Sequence, residues 1–177
     1  MLLHEWQSKQ ILQSAGIAVP KGFLFSASDD AGNAPLTYPV AVKAQLGQGG
    51  RGKAGGVIKA SDSTEAAGAV RRLLNTEFSG ESPDRVLVEE WQPAARELYL
   101  SVTIDGGADG YCVLYSPEGG IDIETGKPPV RYPVGHPDAF RGHVLRSLLA
   151  TVDGDAKVRE RIVTLARRLL RLARSRD

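Results

Sequence analysis

Between two short apolar runs, residues 39–42 and 57–60, the chain places six glycines: Gly47, Gly49, Gly50, Gly52, Gly55 and Gly56. Lys43 precedes them, and Arg51 and Lys53 lie among them. Glycine lets the backbone adopt positive φ and approach a ligand closely. Successive N–H groups in such a turn make an anion-binding concavity. Three fixed positive charges beside it point to a polyphosphate. Gly47-x-x-x-x-Gly52-Lys53 nearly matches a P-loop, but Ala54 stands where the Mg²⁺-binding hydroxyl belongs, and a helix must follow. Gly50-x-Gly52-x-x-Gly55 matches the dinucleotide fingerprint, which also needs a following helix and an acidic residue about 20 positions on. A glycine-rich flap between two strands, folded over a nucleotide's phosphates, fits the β-branched residues on both sides. The bland alternative is a hairpin tip with no ligand.

The 177 residues suffice for one domain or two small lobes. A formal charge of +1 gives no global case for a nucleic-acid partner. Cys112 is the single cysteine, which excludes a disulfide framework and reads as a buried strand residue in a reducing compartment. No apolar run approaches the roughly 18 residues of a spanning helix. The start has no basic region leading into an apolar one, so it reads as no signal peptide. The expectation is a soluble, cytoplasmic protein without a membrane partner. His4, His136 and His143 have no metal-like spacing, and no Ser–His–Asp or Cys–His arrangement is visible.

The pattern predicts a helix over 3–15 stopped by Gly16, and strands over 22–25, 38–45 and 57–60. Asp62 with Glu65 marks the start of a helix reaching about residue 75. Strands follow at 85–91 and 97–104, the latter in a hairpin with 110–115. The four prolines in 127–137 predict a long surface loop. Helices over 138–151 and 156–174 close the chain. The last carries a stripe of Val158, Ile162, Leu165, Leu169 and Leu172, with its arginines largely off it and read as a solvated face. Hairpin-like strand pairs with helices between them predict an α+β fold on antiparallel or mixed sheets.

Lys43 lies in an otherwise apolar strand, where burial is costly without a partner. It reads as a cation for a nucleotide phosphate, against the alternative of a lysine snorkelling from an edge strand. Glu89 ends the run Val86, Leu87, Val88, where a hinge could receive an adenine edge. Glu97, eight residues on, could accept ribose hydroxyls, each charge-assisted bond being worth ~1.5–3 kcal/mol. Taken singly, either glutamate also reads as an exposed strand-end charge.

Several ordered segments resemble the ATP-grasp region of the succinate–CoA and malate–CoA ligase β subunits. Leu3-His4-Glu5-Trp6-Gln7-Ser8-Lys9-Gln10 resembles the family's opening "LHEYQAKQ". Val42-Lys43, with Gly49-Gly50-Arg51-Gly52-Lys53-Ala54-Gly55-Gly56-Val57, resembles its flap. Leu87-Val88-Glu89 and Arg96-Glu97-Leu98-Tyr99-Leu100 resemble its "LVE" and "KELYL", and 116–124 its "STEGGVEIE". The resemblance is strong to about Glu124 and weak beyond.

It implies a two-lobe ATP-grasp-like fold, with residues 21–92 as the lobe bearing the flap. Residues 1–20 and 93–177 would form the other lobe, incomplete at the C-terminus. Lys43 would contact the phosphates of ATP or GTP, Gly50, Arg51 and Gly52 would cover them, Glu89 and Gln92 would sit at the adenine hinge, and Glu97 would hold the ribose. It also implies a ligase that couples nucleotide hydrolysis to acyl-CoA formation, through a phosphohistidine on a partner α subunit that carries the CoA site. The family's Mg²⁺ ligands, an Asn on an "EINPL" strand and a later Asp, fall after residue 177, so no metal ligand is assigned here and this chain alone is expected to be inactive. An uncovered sheet edge would invite self-association. A non-catalytic module that keeps the fold is the alternative; a nucleic-acid binder using the terminal arginines ranks below both.

Overall fold

A computed structural model describes residues 3–27, 35–47, 54–94, 96–120 and 127–176, the side chain of Ala108 apart. The backbone divides into two compact units, Met1–Pro93 and Ala94–Asp177.

The first unit sets helix α1 (Glu5–Ser14), β1 (Gly22–Phe25), β2 (Val40–Ala44), β3 (Val57–Ala60), α2 (Ser63–Leu74) and β4 (Val86–Glu90) in order. Its sheet runs β1-β4-β2-β3, with every pairing antiparallel. Alternation gives the sheet two faces. Val40, Val42 and Ala44 of β2 and Val86 and Val88 of β4 form a core with Ala66, Ala69, Val70 and Leu73 of α2. Asp62 caps α2, accepting from the Glu65 amide at 2.9 Å, while Glu65 accepts from the Ser61 amide at 2.7 Å. The opposite face carries Ala41, Lys43, Leu87 and Glu89.

That second face meets α1. Helix α1 and the strand-linking stretch after it fall in the first unit. Polar contacts hold them there: the Trp6 amide donates to Gln45 Oε1 at 3.1 Å, and Glu5 and Lys9 pair with sheet side chains. The helix stops at Gly16, whose φ is +72°. The Ile17 and Gly16 amides there close back onto the Leu12 and Gln13 carbonyls.

The second unit is a β5-β6-β7 meander backed by two helices: β5 (Tyr99–Asp105), β6 (Gly110–Ser116), β7 (Val130–Gly135), α3 (Gly142–Leu149) and α4 (Ala156–Arg174). Val113, Tyr115, Tyr132 and Val134 meet Leu145, Leu149, Ile162, Val163, Ala166 and Leu170 in its core. Cys112 is free and buried, as its strand neighbours predict; burial is the largest influence on its thiol and pushes its pKa up.

Three elements depart from the sequence reading. The predicted loop 127–137 contains β7, an edge strand paired to β6. The helix expected over 138–151 begins as a 3-10 turn, Pro137–Ala139, and turns α-helical only at Gly142. Between them the Arg141 amide donates to the Tyr132 hydroxyl at 3.0 Å, and Phe140 stands edge-on to the Tyr132 ring. On α4 the buried centre is Ile162, Val163, Ala166 and Leu170; Ile162 of the predicted stripe lies in it, and Val158, Leu165, Leu169 and Leu172 are half-buried beside it. Among the described residues no helix is long and apolar enough to cross a membrane.

Candidate functional site: a strand lysine and a buried glutamate

Lys43 and Glu89 sit on adjacent antiparallel strands, β2 and β4, on the face away from the α2 core. In the ladder Lys43 lies opposite Leu87 and Ala41 opposite Glu89, which brings the two side chains within reach. Their charged atoms approach to 2.6 Å. Glu89 is 3% exposed, so a carboxylate there requires a cation. Gly22, its β1 neighbour in register, leaves the room: a Cβ at Gly22 would stand 2.8 Å from Glu89 Cβ.

Lys43 keeps its charge despite its setting. Burial works against the ammonium, but the hydrogen bond to Glu89 and the attraction of Glu5 and Glu89 outweigh it and hold the pKa above the ordinary lysine value. Two residues of α1 complete the cluster. Glu5 Oε1 lies 3.1 Å from Lys43 Nζ and 2.7 Å from Lys9 Nζ, and Lys9 Nζ also donates to Glu89. The opening resemblance covers Glu5 and Lys9 without assigning them a role. Their spacing of four on a helix was a legible ion pair; their closure onto strands far along the chain was not.

The glycine-rich segment joins two antiparallel strands. β3 follows it directly, Lys43 lies opposite Val57, and the Ala44 amide donates to the Gly56 carbonyl at 2.9 Å. A strand after the glycines excludes both readings that require a helix there, the P-loop and the dinucleotide fingerprint. At its start the Gly47 amide donates to Glu81 Oε1 at 3.0 Å. Gly50, Arg51 and Gly52 lie outside the described residues.

Gln92 is exposed, just past β4 in the first unit. Glu97 belongs to the second unit, exposed and two residues ahead of β5. It is held locally: its carbonyl accepts from the Gly119 amide at 2.9 Å, and a Cβ at Gly120 would stand 2.8 Å from Glu97 Oε2. Beside Glu89 a cleft of about 430 Å³ is lined by Trp6, Lys9, Lys21, Phe23, Leu87 and Glu89 among others.

A glycine-rich segment between two antiparallel strands, preceded by a strand lysine paired with a buried carboxylate on the neighbouring strand, fits the ATP-grasp class of fold. The chain belongs to the ATP-grasp domain family, whose model matches residues 2–177. It is 43% identical over 124 residues to the β subunit of succinate–CoA ligase (ADP-forming) from Methanocaldococcus jannaschii, which covers 70% of this chain and 34% of that one. The corresponding subunit from Methanothermobacter thermautotrophicus is 39% identical over 155 residues, 84% of this chain and 42% of that one. The chain thus spans about a third to two-fifths of the length of these relatives. Among solved structures, the dinucleotide-forming acetyl-coenzyme A synthetase 1 of Ca. Korarchaeum cryptofilum, in complex with coenzyme A and Ca-AMPCP, superposes with a TM-score of 0.73. Its identity is 22%, with 96% of this chain and 79% of that chain covered. The ATP citrate lyase of Methanothrix soehngenii gives 0.71 at 23% identity, with 94% and 43% covered. At these identities the two structures speak for the fold alone.

Proposed function

We propose that this chain is the nucleotide-binding part of an acid–CoA ligase β subunit of the succinate–CoA ligase type. The observation that carries the reading is the Lys43–Glu89 pair beside a glycine-rich hairpin, in a chain about 40% identical to ADP-forming ligase subunits. In this reading Lys43 exchanges its carboxylate partners for nucleotide phosphate, and Gly50, Arg51 and Gly52 close over it. Glu89 and Gln92 take the adenine edge, and Glu97 accepts the ribose hydroxyls. Residues 21–92 then act as the flap-bearing lobe. The nucleotide's terminal phosphoryl group passes to a histidine of a partner α subunit, forming a phosphohistidine and leaving the nucleoside diphosphate; that subunit carries the CoA chemistry, and the chain by itself is inactive. Among the described residues no group of three or more His, Cys, Asp or Glu side chains is gathered to hold a metal ion. None of those residues is assigned to Mg²⁺.

The test is calorimetric titration of ATP, and of GTP in parallel, into the 177-residue chain. Wild type is expected to bind ATP with measurable affinity, and Lys43→Ala to weaken it at least about tenfold, the scale of a lost charge-assisted contact. Absence of binding at millimolar nucleotide, or full affinity in Lys43→Ala, overturns the reading.

A further inference from the structure

Two of the side chains assigned to the nucleotide, Lys43 and Glu89, are already held by one helix. Glu5 and Lys9 stand one turn apart on α1; Glu5 reaches Lys43, Lys9 reaches Glu89, and Lys43 pairs with Glu89 to close a ring of four charges. Three of these side chains are 19–21% exposed and that of Glu89 is nearly fully buried, so their interactions are stronger than in bulk water. We infer that α1 sets the charge of the phosphate site. Lys9 is a positioning residue that neutralises the second carboxylate, and Glu5 is an internal stand-in for phosphate on Lys43. This inference rests on the nucleotide reading above.

Charge arithmetic carries it. Lys43 with Glu5 and Glu89 alone makes a trio of net charge −1, which repels a polyphosphate. Lys9 brings the four side chains to zero. A phosphate oxygen arriving at Lys43 displaces Glu5, which keeps Lys9 as its partner. Glu89 also keeps Lys9, so no carboxylate is left buried and unpaired, the costly outcome in such exchanges. The manner in which α1 docks agrees. It buries no residue fully, whereas α2 buries Ala66, Ala69, Val70 and Leu73. The contacts of α1 include the ring, the bond from the Trp6 amide to Gln45 and the Arg85 guanidinium over the Trp6 ring.

ATP titration into four variants of the full chain tests this, because charge balance predicts effects of opposite sign. Glu5→Gln leaves the ring net positive and tightens ATP binding about three- to tenfold, while Lys9→Met leaves it net negative and weakens binding by a similar factor. Lys9→Arg keeps the charge and stays near wild type. The double variant Glu5→Gln/Lys9→Met is neutral again and returns to within about twofold of wild type, a coupling that independent sites do not show. A helix that merely packs gives weaker binding in both single variants and compounded loss in the double one. If wild type binds ATP and the two single variants shift the same way, this inference falls while the nucleotide reading stands. If wild type binds no ATP, both fall. Should Lys9→Met fail to fold, the sign for Glu5→Gln and the behaviour of Lys9→Arg still decide.

Discussion

Asp153, in the turn between α3 and α4, is 3% exposed and accepts four side-chain hydrogen bonds. Its Oδ2 takes the Tyr115 hydroxyl and, at 2.8 Å, Arg96 Nη2; its Oδ1 takes the Asp155 amide at 3.0 Å and Arg96 Nη1 at 3.4 Å. Its main-chain carbonyl accepts from Arg159 Nη1 at 2.7 Å. Burial works against the carboxylate, but the Tyr115 bond, the Asp155 amide and Arg96 outweigh it and hold its pKa below the ordinary aspartate value. Tyr115 is pushed the other way, by burial first and then by the carboxylate it serves, so it remains a donor. Since the folded pKa lies below the unfolded one, the stability that Asp153 contributes is complete above about pH 3.9, the unfolded value, and is lost as pH falls through the folded pKa. Asp153→Asn, which cannot ionise, is expected to be less stable than wild type by about 1.5–3 kcal/mol at neutral pH, the worth of bonds to a charged group. Urea denaturation in a series of buffers should show that gap closing below about pH 4. A gap that stays constant into acid would mean the charge of Asp153 contributes nothing.

Among the elements, β7 sits where counting prolines misleads. Four prolines in 127–137 argue for a loop, yet β7 is the outer strand of the order β5-β6-β7. Pro133 lies opposite Cys112, where the register slips between Tyr111 and Cys112; an edge strand with an irregularity accommodates a residue that cannot donate. The buried Tyr132 and Val134 alternating with exposed Arg131 and Pro133 carried the period-2 signal, outweighed by its prolines. The strands flanking the glycine-rich segment were legible because turn chemistry and β-branched runs are local. So was Lys43, because a charge inside an apolar strand demands a partner. The contacts of Glu5 and Lys9 with Lys43 and Glu89 were not legible, because those partners are 38 and 80 positions away. The end of the β6–β7 pair gives a direct test at this scale. Gly110 has φ +146°, and a Cβ there would stand 2.6 Å from the Gly135 carbonyl oxygen. Gly110→Ala is expected to push the strand ends apart and to cost about 1–3 kcal/mol, as crowding of packed backbone does. Thermal melts would register the cost, and faster amide exchange at Tyr111 and Gly135 would locate it; unchanged protection there would refute the close approach.

For the molecule as a whole, the consequence lies in how apolar burial is partitioned. Every buried member of the first core, from Phe25 to Val88, belongs to Met1–Pro93, and every member of the second, from Val113 to Leu170, to Ala94–Asp177. Leu73 at 1% and Leu170 at 2% exposure are large side chains in the respective cores. Truncating either to alanine removes transfer energy and leaves a cavity, together about 2–5 kcal/mol. Local opening follows the packing that a residue supports. Leu73→Ala should therefore lower amide protection across β2, β4 and α2 while β6 and α4 keep theirs, and Leu170→Ala should do the reverse. Hydrogen exchange read by mass spectrometry resolves the segments in one experiment per variant. If each substitution instead lowered protection evenly from β1 through α4, the two cores would be opening as one cooperative body.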